Sequence, residues 1–328
     1  VKPITWWIEN TTPEEFRPII KAGVEKWNQA FEPLGFKNAV VVKVQPDDAD
    51  WDAGDVRYNV LRWTASPSPP FSGYGPSFVN PRTGEILGAD IMLEYGGMVG
   101  RLWRFDVFTE AGMLEAGMDE EAAQLEAELE ARPAREVLAE QMNRCHAGAV
   151  MGRNSLLAAA AMRSYKFNDE EHAEFVRQTL HRLVLHEVGH TLGMSHNMHA
   201  STMLSPEELK DAAKVAEHGM CNSVMEYPAI NFARNPEEQT RFYDDSPGPY
   251  DKWVIEYGYS VGLENEVEED SRLSAILSKS TDPLLQFGND ADDMRSTGRG
   301  INPDVNIYDL SSDPVAYAAE RCELVNDL

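Results

Sequence analysis

The stretch HEVGHTLGMSH, residues 186–196, gathers into eleven positions three of the eight histidines in a chain of 328 residues, together with a glutamate. On an α-helix, His186 and His190 stand four residues apart, so both imidazoles lie on one face and can reach a single cation. Glu187 beside them is poorly aligned to share that cation with both histidines. It is well set to take a proton from a metal-bound water, which is the work of a general base. A third ligand cannot come from the straight continuation of the helix without a longer reach. Gly193 accepts positive φ, which lets the chain leave the helix and bring His196 back toward the pair. Three imidazoles with a fourth position left open describe a catalytic rather than a structural metal site. Neutral imidazole suits Zn²⁺, whose bound water can have its pKa lowered to about 7, and Fe, Co or Ni fit the same ligands. HExxH alone recurs in unrelated helices, whereas the added glycine and histidine at fixed spacing make chance a poor explanation.

The surroundings supply the helix that this reading needs. In FNDEEHAEFVRQTLHRLVLHEVGHTLG (167–193), Asn168 and Glu171 hold cap positions, Phe175, Leu180, Leu183 and Leu185 form an apolar set, and Gly193 terminates. The motif therefore sits at the C-terminal end of a long helix. Further upstream, ITWWIEN (4–10) reads as a strand. Thr12, Pro13 and Glu15 then read as the capped start of a helix with Phe16, Ile20, Val24, Trp27 and Phe31 at helical spacing. AVVVKV (39–44), DVRYNVLRW (55–63) and EILGADIMLEY (85–95) read as three more strands, so a mixed sheet with a helix on it is expected.

From about residue 98 to 166 the composition turns acidic and alanine-rich, in DEEAAQLEAELEA and SLLAAAAM, which predicts an inserted helical arm. Its place between a strand and the long helix puts it over or beside a cleft, with packing of SLLAAAAM into the core as the alternative. Downstream, SPEELKDAAKVAEHG (205–219) reads as one helix and YDKWVIEYG (250–258) as another, and the residues after 260 read as acidic and irregular.

Composition narrows the class of partner. Fifty-five acidic against 29 basic residues give a net charge of −26, which repels polyanions and argues against nucleic-acid binding. No apolar run is long enough to span a membrane. The opening at Val1, with neither an initiator Met nor a basic-then-apolar leader, reads as a processed product or an excised domain. Cys145, Cys221 and Cys322 cannot all pair within the chain and show no CxxC spacing.

On His186, Glu187, His190, Gly193 and His196 the chain resembles the metzincin zinc endopeptidases, whose HExxHxxGxxH signature is matched at every fixed position. CNSVMEYP (221–228) extends the resemblance: Met225 is similar to the methionine of the turn beneath the metal in that family. Tyr227 is similar to the tyrosine that, in the astacin-like and serralysin-like branches, approaches the metal and stabilises an oxyanion. Residues 1 to about 260 also resemble the catalytic part of a family of large bacterial zinc-dependent metalloproteases. The resemblance implies an α+β, metzincin-like (zincin) fold: a mixed twisted sheet with helices over a long active-site helix, and a smaller irregular lower lobe ending in a helix. It implies a catalytic domain over 1–260, with an upper lobe (1–197, carrying the insertion at about 98–166) and a lower lobe (198–260). Residues 261–328 are then a C-terminal extension or small subdomain. It further implies Zn²⁺ on His186, His190 and His196, with Glu187 as base and Tyr227 at the oxyanion. A polypeptide substrate would lie along an edge strand at Gly88, Ala89, Asp90 and Ile91, and the location would be extracellular or periplasmic.

Two other functions use the same residues: a zinc amidase or deacetylase acting on non-peptide amides, and a non-catalytic peptide-binding module, which would not require Glu187. His199 competes with His196 as third ligand, but the family spacing favours His196. His181, five residues before His186, is rotated off the ligand face and reads as a surface or packing histidine. DDADWDAGD (47–55) and NDADD (289–293) hint at structural Ca²⁺, although the glycine register and the missing bidentate glutamate favour ordinary turns. Cys221 reads as a buried, inert thiol.

Overall fold

The computed structural model describes residues 1–64, 73–94, 157–290, 292 and 302–328. Strands β1 (Ile4–Ile8), β2 (Val40–Val44), β3 (Asn59–Thr64) and β6 (Ile86–Glu94) run parallel, in the order β2-β1-β3-β6. Two short strands, β4 (Gly73–Tyr74) and β5 (Ser77–Val79), run antiparallel on the other side of β6. Alternation within β1 turns Trp6 and Ile8 to the buried face, while Trp7 packs on the opposite face against Trp51 and Tyr58.

The sequence reading placed the substrate edge on Gly88, Ala89, Asp90 and Ile91, and the topology corrects it. Ala89 and Gly88 pair with Ser77 and Phe78, the Asp90 N–H donates to the Pro76 carbonyl at 3.2 Å, and β3 occupies the other side of the same strand. β6 is interior, and its backbone partners are already taken. Among the described residues the outer edge belongs to 73–79. The stretch SGYGPSFV that supplies it has the glycine, serine and proline content of a loop, which is why period-two reading passed over it.

Helix α1 (Arg17–Glu25) and the short α2 (Asn28–Phe31) lie on the buried face, presenting Ile20, Val24, Trp27 and Phe31 to it. The predicted cap at Thr12 does not form. Residues 12–16 make a turn in which the Thr12 N–H donates to the Glu9 carbonyl, and the helix begins only at Arg17, whose guanidinium donates back to the carbonyls of Thr12 and Asn10. Helix α3 (Asp169–Thr191) starts at the expected capping box: Asn168 accepts from the N–H groups of Glu170 and Glu171, and the Glu171 carboxylate takes the Asn168 N–H. It crosses α1 and inserts Phe175, Leu183, Val184 and Val188 into the shared core.

Residues 98–156 of the predicted arm lie outside the described residues. Its last part does not: residues 157–164 are helical, and Ala158, Ala161 and Met162 are buried in the main core. The alternative reading of SLLAAAAM therefore holds for these side chains.

The predicted helix at 205–219 is broken into α4 (Pro206–Leu209) and α5 (Ala212–His218), because Asp211 caps a new helix on the N–H groups of Ala213 and Lys214. Helix α6 (Pro249–Tyr259) follows as expected. The residues after 260 are more regular than their composition suggested, forming α7 (Glu266–Leu277) and α8 (Pro314–Asp327). Nor do they stand apart. Val305, Ile307 and Leu324 join the main core, and Leu310 and Tyr317 join a second cluster built around Leu209, Val215 and Met220.

Candidate metal centre

Helix α3 carries His186 and His190 one turn apart, and the chain leaves it through Leu192 into Gly193, which adopts φ +92°. A side chain at that φ would be strained, so the glycine is what permits the reversal. The reversal returns His196 to the pair, and candidate ligand atoms of His186, His190 and His196 all lie within 4.8 Å of one another.

The outer nitrogen of each ring is engaged. His186 Nδ1 lies 2.8 Å from the Val224 carbonyl, His190 Nδ1 lies 3.0 Å from the Met194 carbonyl, and His196 Nδ1 lies 2.8 Å from Oδ2 of Asp290. Carbonyl and carboxylate oxygens only accept, so each Nδ1 carries a proton, and in a neutral ring the Nε2 lone pair then turns inward. His190 Nε2 and His196 Nε2 are 3.0 Å apart. His186 Nε2 is fully buried with no hydrogen-bond partner, an arrangement that costs free energy unless a cation satisfies it. Burial, reinforced by the neighbouring His190 and His196, drives the His186 pKa well below the usual histidine value, and burial followed by His196 takes His190 to about 4. Both rings are thus neutral at neutral pH, which is the form that binds a metal. The donor set fits zinc.

Beneath the histidines runs the turn 222–227. Met225 is fully buried with its sulfur against Gly189 of α3, where a Cβ would collide with it. The turn is held by charged groups that the sequence reading did not single out. Arg182, buried on α3, donates to the carbonyls of Val224 at 2.6 Å and Glu226 at 3.0 Å. Asp251 at the start of α6 accepts from the Ser223 hydroxyl and from the N–H groups of Val224 and Gly248. Glu226 accepts from the N–H groups of Ala200, Ser201 and Tyr227. Burial raises the carboxyl pKa of Glu226 well above its ordinary value, with Asp309 adding to it, and takes that of Asp251 to about 6 against the pull of its three donors. A charged residue in the apolar run of a helix, such as Arg182, was the available signal.

The Tyr227 hydroxyl lies 2.7 Å from His196 Nε2, on the inner side of the cluster. Glu187 is fully buried, and its carboxylate sits against the backbone of β4: a Cβ on Gly73 would stand 2.5 Å from Oε1, and one on Gly75 2.7 Å from the Glu187 carbonyl oxygen.

The competing histidines fall outside the cluster. His199 contacts Thr202, and His181 Nε2 donates to the Asp245 carbonyl. The calcium expectation finds no support. Over 47–55 the Asp52 carboxylate accepts the Gly54 N–H and Asp55 pairs with Arg57, so these groups stabilise a turn, while residues 291 and 293 of the second stretch lie outside the described residues. Among the described residues, the histidine cluster is the group with metal-site geometry. Cys221 is buried, and burial followed by Asp244 pushes its thiol well above the usual range, as expected of an inert side chain.

A three-histidine centre on a long helix, with a buried methionine turn below it and a mixed α+β sheet above, defines the metzincin class of fold. Residues 168–328, just under half of the chain, match a family model described as Met-zincin. The match begins at the N-cap of α3 and takes in the residues after 260. Neither the curated proteins nor the solved structures compared with the chain give a match.

Proposed function

We propose that the protein is a zinc-dependent endopeptidase. The observation that carries this reading is the convergence of three imidazoles, one with a buried and unpartnered Nε2, beside a buried glutamate and a tyrosine hydroxyl. His186, His190 and His196 would hold the metal, which when bound supplies Lewis-acid polarisation and a water of lowered pKa. Glu187 accepts the proton of the attacking water and delivers it to the nitrogen of the leaving amine. The Tyr227 hydroxyl donates to the oxygen on which negative charge develops. Val224, Glu226 and Asp290 contribute only indirectly, as acceptors or frame for the ligand rings.

An extended polypeptide would add to the sheet along the outer side of 73–79, the strand edge that borders Glu187, with backbone hydrogen bonds giving affinity and side-chain pockets giving preference. No helix among the described residues is long and apolar enough to cross a membrane, and the family resemblance favours an extracellular or periplasmic site of action. Metal analysis after zinc reconstitution should find about one zinc per chain. Chelator-sensitive cleavage of a peptide library, with no turnover of acetyl-lysine amides, would support a peptidase. The opposite pattern, or no metal, would overturn the reading.

A further inference from the structure

The three rings are not held alike. His186 and His190 lie on α3, and each Nδ1–H donates to a neutral backbone carbonyl. His196 lies beyond the reversal at Gly193, with no helix to fix it, and its Nδ1–H donates instead to the carboxylate of Asp290, 94 positions away in sequence.

Asp290 is delivered there by a framework of hydrogen bonds that does not depend on its bond to His196. The fully buried Asn197, next to His196, donates its side-chain amide to the Gln286 carbonyl at 3.0 Å and accepts the Gly288 N–H at 3.2 Å. The Met198 N–H donates to the Gly288 carbonyl at 2.6 Å, and the Asn306 N–H donates to the Met198 carbonyl at 3.1 Å. The segment 286–290 is thus fastened to the loop that carries His196 at Asn197 and Met198.

We propose that Asp290 is a positioning residue of the metal centre, which fixes the tautomer and ring orientation of His196 and strengthens its Nε2 as a metal donor. The proposal rests on the reading of the histidines as a metal site. A carboxylate acceptor makes a charge-assisted bond, stronger than the carbonyl bonds that serve the other two rings, and it falls on the ligand with the least support from secondary structure. The Asp290 side chain is 49% exposed. A contact this exposed would add little to fold stability, so its effect belongs in metal affinity.

The test uses the full chain, its Asp290→Ala and Asp290→Asn variants, zinc itself in competition with a chelator, and the visible spectrum of the Co²⁺-loaded proteins. Asp290→Ala should weaken zinc binding about 10- to 100-fold and alter the Co²⁺ bands. Asp290→Asn should fall between, because its amide oxygen still accepts the Nδ1–H without the charge. The melting temperatures of the metal-free proteins should agree. Equal zinc affinity and identical Co²⁺ spectra in all three would overturn the proposal. So would a weakened affinity matched by a fall in metal-free melting temperature, which would assign Asp290 to folding. A parent chain that takes up no zinc at all defeats the metal reading first, a result seen before any variant is compared.

Discussion

At the scale of single residues, the roles separate by what each substitution leaves intact. Glu187→Gln keeps the shape beside β4 but cannot take up a proton, so zinc content should persist while turnover falls about 10²-fold or more. A Glu187→Gln protein with parental kcat would move the base elsewhere. If Tyr227 donates to the developing oxyanion as proposed, Tyr227→Phe should lower kcat roughly 10²-fold at constant zinc content; unchanged kinetics would return Tyr227 to a packing role. The glycines at positions 73 and 75 offer a finer test. In Gly73→Ala the new methyl meets the carboxylate end of Glu187 and Leu183 Cδ1, side-chain atoms rather than backbone, so the carboxylate is displaced and activity should fall more than stability. In Gly75→Ala it meets the Glu187 backbone oxygen, which cannot move aside, so stability should fall too. Melting curves beside kcat for the two variants check this. The histidines also set a pH dependence. His181, His186 and His190 have folded pKa values depressed by burial, His190 to about 4, below the histidine value of 6.5 expected when unfolded. Between these limits the unfolded chain binds more protons at these three sites, so their contribution to the stability of the metal-free protein is lost as pH falls from about 6.5 toward 4, while the raised carboxyl pKa values of Glu226 and Asp251 act in the opposite sense. A difference in melting temperature between the parent and a His181→Gln variant that stays constant across that window would contradict the histidine contribution.

At the scale of elements, α3 is coupled to the methionine turn through Arg182 rather than through apolar contact alone. Replacing Arg182 by Met keeps much of the volume but removes the donors to Val224 and Glu226 and leaves buried carboxylates nearby without their cation. The expected cost is about 3–5 kcal/mol, measured by denaturant unfolding; a change below about 1 kcal/mol would fit only a surface role. This coupling marks where sequence reading reached its limit. The motif, its capping box and Gly193 were legible because their meaning depends on local spacing. Met225 and Tyr227 were legible only through family resemblance, since nothing local relates residue 225 to residue 190. β4 and β5 were not legible: five short-strand residues among glycine, serine and proline carry no periodicity, and their pairing with β6 is a long-range fact. Missing them made β6 read as an edge strand, whereas it is paired on both sides. Asp290 was hidden differently, because NDADD reads as a solvated turn until the fold brings it to His196.

At the scale of the whole molecule, the question is whether residues after 260 are an appendage or part of the folding unit. Acidic composition suggested the former, yet these residues supply Val305, Ile307, Leu310, Tyr317 and Leu324, each buried, and they span both hydrophobic clusters. Their polar ties are as broad: the Ala229 N–H donates to the Asp309 carbonyl, the Tyr308 N–H to the Tyr227 carbonyl, and the Ser311 N–H to the Ser201 carbonyl. Full burial of such side chains is worth roughly 1.5–3 kcal/mol each, so five of them amount to the same order as the about 5–15 kcal/mol net stability of a typical domain. Removing them would also uncover Tyr227 and the turn that supports the metal ligands. Truncation after Tyr259 should therefore give a chain without a cooperative thermal transition and without zinc uptake, whereas an independent appendage would leave both intact. A truncated protein that melts cooperatively and still binds one zinc would show that the lower half of the centre stands without its C-terminal wrapping.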